Sequence, residues 1–307
     1  MQMTPEAAAP AGPGAAPLPR LAPGTVLRNR FTVEEFAGQG LLGEVYRATE
    51  GAEKKPVLVK LLPREWLGVQ ARSRVEQDVS IASQLEHRNI ATTFGYYADH
   101  DHIFLVTEQV DGKTLRQMLD EKLAGGRAFS LKGAYNVAVH LCNALEYAHA
   151  SCVHGLVNAE TIFVNSAGRV KLADFGLARA YAGLEKFRAH VNASSLACLA
   201  PEVARSPDNA DRHADLYSVG AILFECLHGA PPFSGNNQFA YLHAHLNQPP
   251  PELATLHPEL PAPLSALVQR MLAKERDARP ATMREVADTL RTLAPPRSGS
   301  YPPVAMA

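Results

Sequence analysis

The 307-residue sequence is poor in several features that would point to particular classes of protein. It has 4 cysteines and no C-x-x-C pair, so it indicates neither a zinc site nor a disulfide framework, and a reducing compartment is the simplest context. Its 30 basic and 31 acidic side chains nearly cancel, which argues against a nucleic-acid partner or a polybasic membrane anchor. The longest apolar stretch, residues 216–227, carries Glu225 and is too short to cross a bilayer. These absences favour a cytoplasmic protein without a membrane span.

The two ends of the chain differ in composition from the rest. Residues 1–24 are rich in Ala, Pro and Gly without any period, and they lack the basic start and the apolar core of a signal peptide. We expect them to form a disordered leader, because they can bury too little apolar surface to offset the entropy of ordering. Residues 295–307 contain several Pro and Ser residues and are predicted to form a flexible tail.

The sequence between the two ends changes its periodicity near residue 110. Before that point apolar and polar residues alternate, which predicts strands. The predicted strands are residues 31–33, 44–48, 56–61, 91–97 and 103–108. One helix is expected among them, since Val75, Val79 and Ala82 recur on one face.

From Thr114 onward the apolar period is that of helices. Ser130 is expected to cap a helix with one apolar stripe, and residues 216–227 are apolar nearly all round, as in a central buried helix. Thr282 and Glu285 form a capping box that opens a last helix. A sheet-rich part followed by a helical part predicts an α+β fold with two lobes and a cleft between them.

Three glycines lie between the first two predicted strands, at Gly38, Gly40 and Gly43. The same spacing marks dinucleotide-binding turns, but there a helix follows the glycines, whereas a strand follows here. The glycines therefore sit at a hairpin tip, where backbone N–H groups can approach phosphates without Cβ obstruction. A merely tight hairpin explains the loop alone equally well. Lys60 ends the next strand, and its ammonium group at this spacing favours contact with phosphates over a solvated strand end.

Further motifs follow in a fixed order along the chain. They are His154 to Thr161, Asp174-Phe175-Gly176, Ala200-Pro201-Glu202, the helix start at Asp215, and Arg279. The ordered series resembles that of bacterial-type, eukaryotic-like serine/threonine protein kinases over about residues 31–293. The resemblance implies a bilobal protein-kinase fold, with a small antiparallel sheet and one helix in residues 31–109 and a larger, mainly helical lobe in residues 110–293.

The resemblance also assigns site residues, with ATP and Mg²⁺ as the implied ligands. The positions assigned to nucleotide binding are Gly38, Gly40, Gly43, Val45, Lys60, Asp78, Glu108 and Val110. Asp78 stands where the family has a helix glutamate, so its ion pair with the strand lysine is expected to be longer. Asp174 is the implied metal ligand. Glu202, Asp215 and Arg279 are implied structural residues, with Arg279 pairing with Glu202 and Asp215 bonding to the backbone of the catalytic loop.

The chain departs from the family at three positions of that loop. Leu156 replaces the aspartate that accepts the substrate's hydroxyl proton, Asn158 replaces a phosphate-contacting lysine, and Thr161 replaces the asparagine that holds a metal ion. Gly155 replaces an arginine, and Ser194-Ser195 is a milder departure in the activation segment. Leucine can neither accept a proton nor bind a cation, so no catalytic residue of the loop is intact.

Three functions fit these motifs. The first is a pseudokinase that binds ATP and acts as a signalling scaffold or allosteric regulator, with an active kinase or another signalling protein as its partner. The second is a weakly active or unconventional serine/threonine kinase that relies on positioning by Lys60 and Asp174. The third is an interaction module that binds no nucleotide. The simultaneous loss of three loop positions favours the first.

Overall fold

A computed structural model describes residues 20–40, 43–62, 69–126, 129–177, 196–235 and 237–293 of the chain. Most of the predicted leader, the predicted tail, the tip of the glycine loop and Ser194-Ser195 lie outside the described residues. Of the leader, residues 20–24 are described, and the backbone amides of Leu21 and Gly24 donate to Tyr46 Oη at 3.1 Å and to the Val33 carbonyl at 2.8 Å.

The first lobe is a six-stranded antiparallel sheet with one helix. Its strands are β1 (Val26–Leu27), β2 (Phe31–Gly40), β3 (Gly43–Glu50), β4 (Lys55–Leu62), β5 (Thr93–Ala98) and β6 (Ile103–Glu108), in the spatial order β1-β2-β3-β4-β6-β5. Helix α1 (Val69–Ala82) lies between β4 and β5 in sequence. Strand residues with alternating burial form the core of this lobe, as the period-2 pattern predicts. They include Phe31, Val33, Tyr46, Val57, Val59, Phe104 and Val106.

The second lobe is mainly helical. Its helices are α2 (Leu115–Ala124), α3 (Leu131–Ala148), α4 (Pro201–Arg205), α5 (Arg212–His228), α6 (Gln238–Asn247), α7 (Leu253–Leu256), α8 (Ala262–Met271) and α9 (Met283–Leu293). A small antiparallel sheet, β7 (Lys113–Thr114), β8 (Ile162–Val164) and β9 (Val170–Leu172), faces the first lobe through the bridge between Ile90 and Leu172.

Helix α5 is the centre of the second lobe. Its residues from Ala214 to Leu227 are all buried, and its first turn is capped by Asp211, which accepts from the backbone amides of His213 and Ala214. Gly220 lies against α8 so closely that a Cβ atom there would be 2.7 Å from Met271 Cβ. A glycine therefore permits this crossing, and a larger residue would push the two helices apart.

Helix α3 begins as the sequence predicts. The Ser130 side chain accepts from the backbone amide of Gly133, and the apolar stripe of the helix is buried from Leu131 to Ala148. α3 packs against α9, α5 and β9, so it connects the outer surface of the lobe to the strand that leads into the site.

The two lobes are joined by backbone and side-chain hydrogen bonds as well as by the connecting chain. Asn89 donates from its buried side chain to the Val170 carbonyl at 2.8 Å, and the Leu172 amide donates to the Asn89 carbonyl at 2.8 Å. The predicted α+β fold with two lobes is confirmed. The lobe boundaries near residues 109 and 110 stay a prediction. Within the described ranges, no helix is both long enough and apolar enough to span a membrane.

Candidate nucleotide cleft and degenerate catalytic loop

The loop from His154 to Thr161 is held from below by one buried carboxylate. Asp215, in the first turn of α5, is fully buried, and its side chain accepts from the backbone amides of His154 at 3.0 Å and Gly155 at 2.7 Å. His149 Nε2 donates to the same carboxylate at 2.8 Å. Gly155 has a φ of 73°, a left-handed conformation that glycine adopts without strain. The predicted contact of Asp215 with the loop backbone is thus present in the structure.

His154 orders the loop as a neutral ring. It is fully buried, its Nε2 donates to the Ala173 carbonyl at 2.8 Å, and its Nδ1 accepts from the Leu156 amide at 3.2 Å. Burial lowers the pKa of His154 below its usual value, which agrees with one ring nitrogen donating and the other accepting. The ring also packs edge-on against Phe175, with centroids 4.7 Å apart. His154 therefore connects the loop to the Asp174-Phe175-Gly176 segment.

A hairpin brings the two ends of the site together. Strand β8 begins directly after Thr161, β9 ends two residues before Asp174, and Ile162 pairs with Leu172. The Ala173 amide donates to the Thr161 carbonyl at 2.8 Å. Thr161, where the resemblance implies an asparagine, and Asp174, the implied metal ligand, are therefore close together in the folded chain.

Lys60 and Asp174 form an ion pair across the cleft. Their side chains are 13% and 15% exposed, so the pair is only partly screened by solvent. Asp174 has a φ of 72°, a conformation that is uncommon for a residue with a side chain. The surrounding contacts of Ala173 and Phe175 hold it there. Val45 lies directly opposite Lys60 on the adjacent strand.

Asp78 lies on α1, whose backbone comes close to the Asp174-Phe175-Gly176 segment at this residue. Gly176 lies so close to α1 that a Cβ atom on it would be 3.0 Å from the Asp78 carbonyl oxygen and 2.9 Å from the Val79 amide nitrogen. Gly176 also has a φ of 85°, so both its conformation and its space require glycine. The ion pair of Lys60 described above is with Asp174, the implied metal ligand. The pair of Lys60 with Asp78 that the resemblance implies stays a prediction.

The three glycines lie at the paired ends of β2 and β3, on either side of residues 41–42, as expected for a hairpin. Gly38 pairs with Val45, Gly40 pairs with Gly43, and the two strands continue away from the tip. A Cβ atom on Gly40 would be 2.9 Å from Val45 Cγ2, whereas one on Gly38 would meet no atom within 4 Å. Gly38 is therefore required by its φ of 148°, and Gly40 by the close side chain of Val45.

The predicted hinge holds the two sheets together. Glu108 ends β6, and its carboxylate accepts from Lys171 Nζ of β9 at 2.6 and 2.7 Å and from the Thr92 amide at 3.0 Å. Thr107, before it, is buried, and Val110, two residues after it, is half-buried. Sequence reasoning placed Glu108 and Val110 at the hinge by resemblance but missed Lys171, because nothing in the spacing distinguishes it from a solvated strand lysine.

In the described part of the cleft, one of the two metal-ligand positions that the resemblance implies still carries a carboxylate, Asp174. The Asp174 side chain suits Mg²⁺, which is commonly held by one or two carboxylates together with phosphates. Thr161, the second family position, is 2% exposed and donates its hydroxyl proton to the Asn158 carbonyl at 2.9 Å. Of these two described positions, Asp174 thus fits a Mg²⁺ ion and Thr161 provides no second site. Among the described residues, there is no group of three or more His, Cys, Asp or Glu side chains that could hold a metal ion.

The structural residues of the second lobe form a buried ion pair. Arg279 donates to both carboxylate oxygens of Glu202, at 2.7 and 2.9 Å, and both residues are buried. Arg279 also donates to the carbonyls of Ala273, His213 and Lys274. The predicted pair is present, and its extra hydrogen bonds satisfy the guanidinium group, as a buried charge requires.

One further ion pair, which the sequence did not suggest, supports the loop from the other side. Arg116 of α2 pairs with the buried Glu225 of α5 at 2.6 Å, and its backbone amide donates to the Ala159 carbonyl at 2.9 Å. Burial raises the pKa of Glu225, and the charge of Arg116 opposes that shift. The signal in the sequence that could have indicated this ion pair is Glu225 itself, a charged residue within an apolar helix.

Comparison with known proteins agrees with this geometry. A family model described as "Protein kinase domain" matches residues 31–290. A Corynebacterium efficiens protein named "Probable serine/threonine-protein kinase" is 31% identical over 283 residues, which cover 88% of this chain and 42% of that protein. PknL of Mycobacterium tuberculosis, named a serine/threonine-protein kinase, is 29% identical over 271 residues, covering 88% of this chain and 67% of PknL.

Solved structures show the same architecture. The crystal structure of the Mycobacterium tuberculosis PknI kinase domain matches with a TM-score of 0.70 at 23% identity, covering 90% of this chain and 100% of that one. Fold and motif order define a two-lobed, kinase-type domain. The chain belongs to the protein kinase family. It spans 42% and 38% of the full length of its relatives from Corynebacterium efficiens and Streptomyces coelicolor.

Proposed function

We propose that this chain is a pseudokinase, which binds an adenine nucleotide in the cleft and regulates a protein partner without transferring phosphate. The observation that carries the proposal is the state of the catalytic loop. Leu156 replaces the base, and Asn158 and Thr161 are both buried and hydrogen-bonded within the loop. Losing a general base alone costs on the order of 10²–10⁴ in rate.

The structural and cleft residues that the chain retains support a function for the folded domain. Asp215 still holds the loop backbone, the Glu202–Arg279 pair is intact, and Lys60 and Asp174 still face each other. Replacing one partner of an ion pair as buried as Glu202–Arg279 leaves the other charge buried and unpaired, which strongly destabilises the fold. A fold that served no purpose would be expected to lose such residues as readily as it lost the base.

Nucleotide binding would use the groups that remain. The adenine edge would contact the backbone at Glu108 and Val110, and the phosphates would lie between the glycine loop and Lys60. A Mg²⁺ ion held by Asp174 would neutralise phosphate charge. With no base at Leu156, the chain's own residues bind and orient the nucleotide and have no means of removing a substrate proton.

The proposed partner is a protein, such as an active kinase or another signalling protein. A cytoplasmic setting agrees with the free cysteines, since Cys142, Cys198 and Cys226 are all buried and reduced. Burial raises the pKa of Cys142 to about 12, so this thiol is unreactive at neutral pH.

A second candidate is a weakly active kinase, and one observation favours it. Lys60 and Asp174 are in contact, so the groups that position a nucleotide and one metal ion are both present. Positioning and electrostatic stabilisation supply most of the catalysis in phosphoryl transfer.

The nucleotide part is tested by thermal denaturation of the full chain with and without millimolar ATP and Mg²⁺. We expect the midpoint to rise with nucleotide in the wild type, and the rise to disappear in Lys60→Ala. An unchanged midpoint in the wild type would leave only the interaction module that binds no nucleotide.

The catalytic part is tested by transfer of labelled γ-phosphate to the chain itself and to a generic protein substrate. We expect no transfer above the level without protein. Transfer that is robust in the wild type and absent in Asp174→Ala would establish the weakly active kinase instead.

A further inference from the structure

A cavity of about 610 Å³ lies between α3, α9 and the loop of residues 83–92 that leads from α1 to β5. We call it the α3–α9 cavity. Its volume is within the usual range for sites that bind small molecules. The described residues that line it all lie outside the nucleotide cleft and the catalytic loop. The proposed pseudokinase function therefore leaves this cavity without a role.

Positive charge is in excess along the wall of the cavity. Three arginines and two carboxylates line it, and they are Arg88, Arg284, Arg291, Glu146 and Asp288. Glu146 accepts from Arg284 Nε at 3.3 Å. Asp288 accepts from Arg291 Nη1 at 2.6 Å. Each carboxylate thus has its own arginine, and Arg88 supplies the one positive charge that neither of them matches.

Arg88 is exposed, and no hydrogen bond or ion pair joins its side chain to another described residue. Its neighbours in sequence are both ordered. His87 stacks on Tyr147 of α3, with ring centroids 5.2 Å apart, and Asn89 is buried and donates to the Val170 carbonyl at 2.8 Å. Because the backbone on both sides of Arg88 is held in place, presenting its guanidinium group to a ligand costs less conformational entropy.

The surroundings of His87 agree with an excess of positive charge. Burial lowers the pKa of His87, and the charges of Arg88 and His140 lower it further. His87 is therefore neutral near pH 7 and adds no charge of its own to the cavity.

Part of the cavity wall is apolar. Tyr147 is 42% exposed although its ring is largely hydrophobic, and Ala150 and Ala287 also line the cavity. Ligand sites commonly combine such apolar walls with a few polar groups that fix the orientation of the ligand. A molecule that matches both parts of this wall has an apolar body and an anionic group.

We propose that the α3–α9 cavity binds a small organic anion, whose phosphate or carboxylate group pairs with Arg88 and whose apolar part packs on Tyr147. A guanidinium group binds either of these anions through two parallel hydrogen bonds. Since Asn89 bonds to β9 of the second lobe, a ligand on Arg88 would lie beside the junction of the two lobes. The inference does not depend on nucleotide binding in the cleft.

Ligand-observed NMR of the full chain with phenyl phosphate, benzoate and phenol, at constant ionic strength, tests the inference. We expect phenyl phosphate, benzoate or both to bind with a millimolar or lower dissociation constant, and phenol to bind at least about tenfold more weakly. Binding of only one of the two anions would identify the anionic group that the cavity accepts. Equal binding of phenol, or no binding of either anion, would overturn the proposal.

Arg88→Ala tests the residue that the proposal assigns to the anion. We expect it to weaken binding of the anion by at least about fivefold. Arg169→Ala is the matched control and should leave the affinity unchanged within about twofold, because Arg169 is also an exposed arginine but does not line the cavity. Equal weakening by the two substitutions would assign binding to the general surface charge and overturn the proposal.

Hydrogen exchange with and without phenyl phosphate or benzoate, whichever binds, locates the site. We expect the bound anion to slow exchange in peptides covering residues 83–92 and 283–293, which contribute to the cavity wall. Peptides covering β4 in the nucleotide cleft should not change. Slowing in β4 alone, or none in the two cavity peptides, would place binding elsewhere and overturn the proposal.

Discussion

At the scale of single residues, Asp215 does the most to hold the backbone of the loop from His154 to Thr161 in place. Its carboxylate accepts from two backbone amides and from His149, all in a fully buried setting. Hydrogen bonds to a charged acceptor are worth more than neutral ones, and buried donors left without a partner are costly. The loop conformation therefore depends on this residue rather than on the substituted positions.

We expect Asp215→Ala to lower the free energy of unfolding by about 3 kcal/mol, because three donors lose a buried charged acceptor. Urea denaturation followed by circular dichroism measures this. Asp288→Ala is the matched control, since the Asp288 side chain is 61% exposed, and it should change stability by less than about 0.5 kcal/mol. Equal effects of the two substitutions would contradict the assignment.

The sequence shows which positions of the loop differ from the family, but it does not predict the contacts that the residues at these positions make. Spacing placed Leu156, Asn158 and Thr161 at the three altered positions. It did not show that the Asn158 side chain bonds to the backbone of Leu156 and Glu160, or that the Thr161 hydroxyl bonds to the backbone of Asn158. Asn and Thr form such turns or face a ligand equally well. The pair between Lys60 and Asp174 was also missed, since it depends on how the two lobes meet.

At the scale of elements, the hairpin β8–β9 and the strand β6 form the connection on which the cleft depends. Glu108 of β6 binds Lys171 of β9 and the amide of Thr92, the residue before β5. Both side chains of the ion pair are under a third exposed, so the contact is only partly screened. Its effect should therefore be local ordering of the hinge more than global stability.

We expect Glu108→Ala to speed hydrogen exchange of the amides at Thr92 and in β6 by about tenfold, because the carboxylate that orders the hinge is removed. Mass spectrometry of peptides covering residues 91–108 measures this. Glu121→Ala, which removes an exposed ion pair with Lys113, is the control and should leave those peptides unchanged. Unchanged exchange in both variants would show that the backbone alone orders the hinge.

Elements were more predictable than their junctions. The Ser130 cap and the stripe after it correctly predicted α3, and period-2 alternation located β2, β3, β4 and β6. Strand β2 extends to Gly40, well past the predicted residues 31–33, because pairing with β3 continues to the hairpin tip. Lys171 and Arg116 were missed, since their partners are 63 and 109 residues away in sequence.

At the scale of the whole molecule, one buried ion pair connects distant parts of the second lobe. Glu202 in α4 and Arg279 after α8 are separated by 77 residues. We expect Arg279→Ala to lower the free energy of unfolding by about 3–5 kcal/mol, because it leaves the Glu202 carboxylate buried and unpaired. The exposed pair Arg291–Asp288 provides the control, and Arg291→Ala should cost less than about 1 kcal/mol. If chemical denaturation gave similar losses in the free energy of unfolding for the two variants, the distinction between the buried and the exposed ion pair would be contradicted.

Stability should also fall in mild acid, because the fold buries neutral histidines. Burial and the charge of Lys274 lower the pKa of His245 to about 3, against an ordinary value near 6.5. Below about pH 6.5 the unfolded chain therefore binds a proton at His245, whereas the folded chain does not bind it until the pH is near 3. The free energy of unfolding therefore decreases as the pH falls from about 6.5 toward 3. His154 and His228 have pKa values lowered in the same direction and add to the effect.

Between about pH 7.5 and 5.5 we expect His245 alone to account for a loss of about 1.4 kcal/mol in the free energy of unfolding. Urea denaturation at both pH values measures it, and His245→Gln should reduce the difference by that amount. His100→Gln is the control, since that side chain is 96% exposed. A pH dependence identical in the wild type and His245→Gln would contradict the buried neutral histidine.

The central claim is that this kinase-family chain has lost phosphate transfer through its catalytic loop while keeping its fold. The most direct measurement is the rate of γ-phosphate transfer by the wild type beside a variant carrying Leu156→Asp, Asn158→Lys and Thr161→Asn together. We predict background transfer for the wild type and a rate at least about 10² higher for the variant, the contribution of a general base. Wild-type transfer that equals the variant's and is abolished by Asp174→Ala would contradict the claim.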